Sequence, residues 1–329
     1  MRNHKFLGAV AVAAGLGLTL AGCASSPSGS TEETAAADPE SIVLGLVPSQ
    51  DVDQLVTDGD TLAGLLSDEL GVPVEVNITD NYAGLVVAMQ TDQAQIGMFG
   101  PIGLVQAQDE AGAVPVLQSV RYGDSVYVTQ WFTNDPDTFC LDDIVTETDE
   151  DGVDYLFCNG TEEGNVGPLG EDALALVAQD ETIAFVDEGS ASGYYYPATQ
   201  LQQLGLDPFD LSGAFFAGGH PNAVRAVYDG DATVGVSYND ARTGLAEETP
   251  DIGTEVVVFA HSTLIPNDGV SVSGSLSEEW QQKITDAFLA IADTEEGAAA
   301  LDAVYEIDGL VPADLDAIDQ ARAVYENFG

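Results

Sequence analysis

Apolar residues recur along this chain in two alternating rhythms. Ile42 to Val47 is a short apolar run that ends at Pro48-Ser49, and Leu55, Leu62, Leu65, Leu66 and Leu70 then return at the spacing of one helix face, closed by Gly71. Val74 to Ile78 alternates as a strand, Tyr82 to Gln90 reads as helix, Ile96 to Phe99 is a third strand, and Pro101 opens another helix. This order predicts a parallel sheet covered by helices. Val126 to Phe132 is a strand rich in β-branched and aromatic residues, followed by an acidic, Gly-containing stretch from Asn134 to Gly170 that reads as a surface insertion. A second series follows: strand Thr182 to Val186, helix Ser192 to Leu204, strand Ala214 to Phe216, helix Asn222 to Tyr228 and strand Thr233 to Val236. Glu255 to Ala260 and Val270 to Val272 look like strands returning to the first unit, and the last stretch is helical, with Ile284, Phe288 and Ile291 on one apolar face. Two α/β units joined by crossing strands predict a bilobal hinge protein with a cleft between the lobes. The boundaries so read are 41–125 and 241–329 for the first lobe, and 126–240, with the insertion 134–170, for the second.

The apolar run Phe6 to Leu20 has a different character. It follows a basic Arg2 and Lys5, is too short for a permanent membrane span, and closes at Leu20-Ala21-Gly22-Cys23. That closing tetrad resembles the bacterial lipobox, in which the cysteine becomes the lipidated N-terminus. Residues 1–22 are therefore expected to be a lipoprotein signal peptide and Cys23 the lipid attachment point, outside the cytoplasmic membrane. Residues 23–40, rich in Ser, Thr, Ala and Glu, read as a disordered tether.

Charge narrows the partners. The chain has 56 acidic and 7 basic residues and a formal net charge of −49. A nucleic-acid partner is excluded on that balance, because a phosphate backbone demands a basic face. Self-repulsion of this size is tolerable where salt screens it, so a halophilic or haloalkaliphilic source is expected. Beyond the leader the basic residues are Arg121, Arg225, Arg242, Lys283 and Arg322. Cys140 and Cys158 remain once Cys23 is set aside. In an oxidising exterior they read most simply as a disulfide closing a local loop, with a metal site as the rival reading, although no His lies near either.

The segment Thr182 to Pro197, TIAFVDEGSASGYYYP, carries the most chemistry. An apolar strand runs out at Asp187, turns at Gly189 and enters a helix near Ser192. Such a turn leaves backbone N–H groups free at a helix N-terminus, where the helix dipole also favours an anion and no basic residue is needed. The serine hydroxyls add donors to the same place. A plain N-cap is the alternative reading.

With this segment the chain resembles the periplasmic phosphate/phosphite/phosphonate-binding proteins, the receptor components of ABC importers. The resemblance rests on LGLVPSQD at Leu44, TDNYAGLVVAM at Thr79, IGMFGP at Ile96, FVDEGSASGYYYP at Phe185, FAGGHPNAVRAV at Phe216 and LIPNDGV at Leu264, in the family's order. It implies a type II periplasmic-binding-protein fold, two α/β lobes clamping a small phosphorus oxyanion, with an ABC permease as partner. Carried over position by position, the pocket falls on Tyr82, Phe99, Tyr127, Ser190, Ala191, Ser192, His220, Asp240 and Asp268. Tyr82 and Tyr127 would give phenol donors, His220 an imidazole donor, and Asp240 and Asp268 acceptors for an amino group on the ligand; Phe99 would sit at the cleft wall. Ala191 stands where the family's Ser-Thr-Ser clamp has threonine, so one hydroxyl is missing and the backbone donor stays. None of the basic residues falls at a carried-over pocket position, so affinity is expected from aligned neutral donors in a closed cleft. The protein is read as a monomer that touches the membrane only through its lipid, with no cofactor and no bound metal.

Other readings of the same residues differ in class. GSASG resembles a serine-hydrolase elbow, but the central position is Ala191 and not serine. Tyr194-Tyr195-Tyr196 would suit a ferric-ion receptor of related bilobal fold, although consecutive side chains on a helix diverge. A sensor domain of the same fold would work without a transporter.

Overall fold

The computed structural model describes residues 38–328. The expected leader, Cys23 and nearly all of the expected tether lie outside the described residues. Among the described residues no helix is long and apolar enough to cross a membrane.

Two α/β lobes are built on two sheets. The first sheet is ordered Gly309–Pro312, Val114–Val120, Gly269–Val272, Ile96–Phe99, Ile42–Leu46 and Val74–Ile78. Its three early strands, Ile42–Leu46, Val74–Ile78 and Ile96–Phe99, pair in parallel, and Gly269–Val272 runs antiparallel between Ile96–Phe99 and Val114–Val120. Ile42, Leu44 and Leu46 are fully buried, as expected of strands covered by helices on their faces. The helix Val52–Leu70 packs its Leu55, Leu62, Leu66 and Leu70 face inward; Asp51 caps its start by accepting from the Gln54 amide, and Gly71, at φ 70°, ends it in the left-handed region. Each of those leucines contributes about 1.5–3 kcal/mol by burial, which exceeds what helix propensity alone supplies.

The second sheet is ordered Gly213–Phe216, Thr182–Phe185, Val234–Tyr238, Thr129–Thr133, Val257–His261, Asp154–Phe157 and Val145–Thr148. The strand read at Glu255 to Ala260 as returning to the first unit instead pairs here, antiparallel to Thr129–Thr133, so the second sheet draws on residues as far as His261. The stretch read as a surface insertion is partly integrated as well: its hairpin, Val145–Thr148 with Asp154–Phe157, joins the sheet where Phe157 pairs with Val258. Cys140 and Cys158 form the expected disulfide beside that hairpin.

The chain crosses between the lobes at Val126–Tyr127 and again at Ile265–Pro266, and the two crossings pair antiparallel as a separate two-stranded sheet. The C-terminal part is helical at Glu278–Ala292, Glu295–Tyr305 and Leu315–Tyr325, interrupted by the edge strand Gly309–Pro312. Ile284, Phe288 and Ile291 are buried on the inner face of the first of these helices.

Candidate functional site

Strand Thr182–Phe185 ends at a turn organised by Asp187, whose side chain accepts from the Gly189 amide at 2.7 Å and whose carbonyl accepts from the Ser190 amide at 3.0 Å. The chain then makes a π-helical turn over Ala191–Tyr195 that runs on into the α-helix Tyr196–Gln203. Ser190 is its N-cap: the Oγ accepts from the Gly193 amide at 3.0 Å, and its own O–H remains to donate elsewhere. The amides of Ala191 and Ser192 have no acceptor among the described residues. Two free N–H groups at a buried helix start, with the dipole behind them, favour an anion.

That turn forms one wall of a cavity of about 40 Å³ between the lobes. The second lobe brings Ser190, Ala191, Ser192, His220 and Tyr238; the first brings Tyr82, Gly100 and Asp268 from its strand and helix ends. Tyr127 enters from the crossing strand. The lobes are in contact around it: the His220 amide donates to the Ser49 carbonyl at 3.0 Å. A Cβ on Gly189 would come within 2.6 Å of the Tyr82 Cβ, so only glycine lets the turn approach this closely. Burial, then the charges of neighbours that include Asp268, raises the Tyr82 phenol well above its usual range; burial and then Asp268 do the same for Tyr127. Both are thus kept as O–H donors. The His220 Nδ1 lies 2.7 Å from Ser237 Oγ, and burial followed by the Arg121 charge pulls the ring down to about 3. A neutral ring that accepts from Ser237 at Nδ1 has its Nε2–H to donate.

Arg121 also lines the cavity. Its Nη2 donates to Asp268 Oδ2 at 2.7 Å and its Nε donates to the Tyr305 carbonyl at 2.8 Å. Burial lowers the guanidinium's pKa, but the Asp268 charge and hydrogen bond outweigh it and the net direction is upward. The expectation of a cavity without a cation is therefore corrected: one is present, already half-committed to a carboxylate. Arg121 stands just past the end of strand Val114–Val120, where ligands of open α/β sheets bind, a place that is recognised only once that strand is known. Val47, Ser49, Gln50, Tyr238, Tyr305 and Glu306 complete the wall and were not singled out as pocket positions from the sequence.

Two of the expected positions stand outside the cavity. Phe99 is 1% exposed and folds its ring back into the first lobe's core against Gly97 and Gly103, leaving Gly100 at the cavity edge. Asp240 is engaged with the Arg242 Nε and Nη2 and with Gln130, and the Arg242 guanidinium lies 4.7 Å from the Phe157 ring centroid. Burial would raise the Asp240 carboxyl, but Arg242 holds it below its usual range. Tyr194 and Tyr195 pack away from the cavity, against Phe328 at 6.2 and 5.4 Å between ring centroids.

Residues 44–318 match the family model described as "ABC transporter, phosphonate, periplasmic substrate-binding protein". The chain is 26% identical over 244 residues to the phosphate-import protein PhnD of Mycolicibacterium smegmatis, covering 72% of this chain and 66% of that one. It is 24% identical over 237 residues to the phosphonates-binding periplasmic protein of Escherichia coli, covering 71% of this chain and 61% of that one. The matched stretch thus spans a little under two thirds of these relatives' length. Among solved structures, a binding protein component of an ABC phosphonate transporter from Pseudomonas aeruginosa superposes with a TM-score of 0.71 at 19% identity, covering 88% of this chain and 86% of that one. PhnD1 from Prochlorococcus marinus in complex with methylphosphonate does so with a TM-score of 0.71 at 17% identity, covering 88% and 98%. With the family model matched over most of its length, the chain belongs to the periplasmic substrate-binding proteins of phosphonate ABC transporters, a family of receptors and not of enzymes.

Proposed function

We propose that the protein captures a small phosphorus oxyanion between its lobes, outside the cytoplasmic membrane, and hands it to an ABC permease. The observation that carries this reading is the convergence of donors on one enclosed cavity: the free amides of Ala191 and Ser192 at a helix start, with Tyr82, Tyr127, the Ser190 and Ser192 hydroxyls and His220 around them. At about 10–15 Å³ per water-sized group, a cavity of about 40 Å³ suits an ion of a few heavy atoms and has no room for a nucleotide or a peptide. Closure over the ligand would be a hinge motion about the paired crossings Val126–Tyr127 and Ile265–Pro266.

Cys23 would carry the lipid that keeps the receptor beside its permease. Calorimetric titration at high salt against phosphate, phosphite, hypophosphite, methylphosphonate and an aminoalkylphosphonate tests the ligand class; no binding by any of them would refute it. Mass analysis of the N-terminal peptide tests the anchor, and an unmodified Cys23 in membrane-associated protein would exclude it.

A further inference from the structure

We propose that Tyr238, held between Gln50 and Glu306, is a size gate that seals the oxyanion cavity from a larger groove and restricts the ligand to a methyl-sized substituent or none. The inference rests on the oxyanion reading above and goes beyond it by assigning the residue that sets the size limit.

Tyr238 ends the second-lobe strand Val234–Tyr238, and its hydroxyl accepts from Gln50 Nε2 at 3.0 Å and donates to Glu306 Oε1 at 3.1 Å. Both partners belong to the first lobe. A phenol has one proton to donate, so this hydroxyl is committed on both sides and forms a bar across the mouth between the lobes. The ring stands edge-on to His220, with centroids 4.8 Å apart, so it is also the wall next to a candidate ligand donor.

The far end of the bar is fixed. Glu306 Oε2 accepts from the Tyr122 hydroxyl at 3.3 Å, and the residue holds a left-handed backbone, φ 55°, as the cap of helix Glu295–Tyr305. That conformation is unfavourable for a residue with a Cβ, and the carboxylate it carries meets Tyr238.

Beyond the bar the space changes scale. A groove of about 760 Å³ adjoins the cavity of about 40 Å³, and Gln50, Tyr238, Tyr305 and Glu306 line both. Space for a longer substituent therefore exists immediately outside the cavity, and a ligand that used it would have to displace the Tyr238 bar. A single surplus methylene in a closed pocket changes discrimination by about tenfold or more.

The test is a titration of phosphate and of methyl-, ethyl-, propyl- and butylphosphonate against the mature protein and against Tyr238→Ala, Tyr238→Phe and Gln50→Ala. The wild type is expected to bind phosphate or methylphosphonate and to lose about tenfold or more per added carbon. Tyr238→Ala should flatten the series and move the largest accepted substituent upward. Gln50→Ala, on the loop after the first strand, loosens the bar without touching the core and should shift the series in the same direction. Tyr238→Phe keeps the ring but removes both hydrogen bonds that hold it, so it should shift the series in the same direction, by less than Tyr238→Ala. Wild-type protein that binds butylphosphonate as tightly as methylphosphonate, or alanine variants that keep the wild-type ratio, would overturn the gate while leaving the oxyanion reading in place. If the wild type binds no member of the series, and neither phosphite nor hypophosphite nor an aminoalkylphosphonate, both readings fall.

Discussion

Arg121 and Asp268, 147 residues apart in the chain, meet at the cavity as an ion pair of 2.7 Å, with side chains 14% and 21% exposed. Each comes from just outside a strand end of the first sheet, and the pair sets a positive and a negative charge side by side where an anion is proposed to bind. Removing one partner of a largely buried pair leaves the other uncompensated, at a cost of about 3–5 kcal/mol. Arg121→Ala should therefore lower unfolding stability by roughly that amount and abolish oxyanion binding, since Asp268 would then face the ligand alone. Asp268→Asn keeps the shape and releases the guanidinium toward the cavity, so oxyanion affinity should rise by about tenfold, within the strength of one charge-assisted hydrogen bond. Denaturant unfolding and calorimetry read the two effects separately.

Ser190 has two roles, which stability and affinity measurements read separately. As N-cap it accepts from the Gly193 amide, and its loss should cost about 1 kcal/mol of stability. The double variant Ser190→Ala, Ser192→Ala should in addition weaken oxyanion binding by about 1–3 kcal/mol, the range for hydrogen bonds to a charged group. Unchanged affinity with a lowered melting point would leave these residues structural only.

Acid should destabilise the protein through His220. Unfolding returns this ring from about 3 to its ordinary 6.5, so the unfolded chain takes up a proton over that interval that the native chain does not. The contribution of the neutral ring is complete above about pH 6.5 and is lost progressively as pH falls toward 3. His261, buried beside Val166, shifts in the same direction. His220→Asn should flatten the acid limb of a urea-midpoint profile while the alkaline limb stays in place.

With a formal net charge of −49, folding should strengthen with salt. At about 1 M salt the Debye length falls to roughly 3 Å, which removes most repulsion between surface carboxylates. The melting temperature should climb between low and molar sodium chloride. A flat response would contradict the halophilic reading.

The disulfide closes a loop of sequence separation 18 beside the hairpin at the edge of the second sheet. Cys140→Ser with Cys158→Ser should cost about 3 kcal/mol by loop-closure entropy. Limited proteolysis should then cut first near Val145–Asp154, while oxyanion affinity is retained.

Where apolar spacing and stop residues agree, the sequence is readable. Tyr82–Gln90 and Ile96–Phe99 lie in the structure at the bounds read from the chain, and Gly71 ends its helix. Strand Val114–Val120 escapes such a reading because Pro115 argues against a central strand. The sheet accommodates it through a bulge in that strand itself: Val116 is the extra residue between the pairs Leu117–Val270 and Pro115–Ser271. Nor does alternation say which sheet a strand joins: Val257–His261 carries an apolar pattern that would suit either lobe, and only its pairing with Thr129–Thr133 decides. In the site, the helix-start donors were legible because backbone chemistry follows from local order. Arg121 and Glu306 were not, because a charge becomes part of a cavity only once residues distant in the chain are brought together.

The placement of strand Gly269–Val272 bears on how the chain is assembled in time. It lies between Ile96–Phe99 and Val114–Val120, so the first sheet has a gap at its centre until the chain past residue 272 has been delivered. Every strand of the second sheet, by contrast, falls within one uninterrupted segment from Thr129 to His261. A chain that emerges N-terminus first can complete that segment as a unit while the opening strands of the other lobe wait. The lobe begun first is finished last, and the binding cavity comes into existence only with its closing strand.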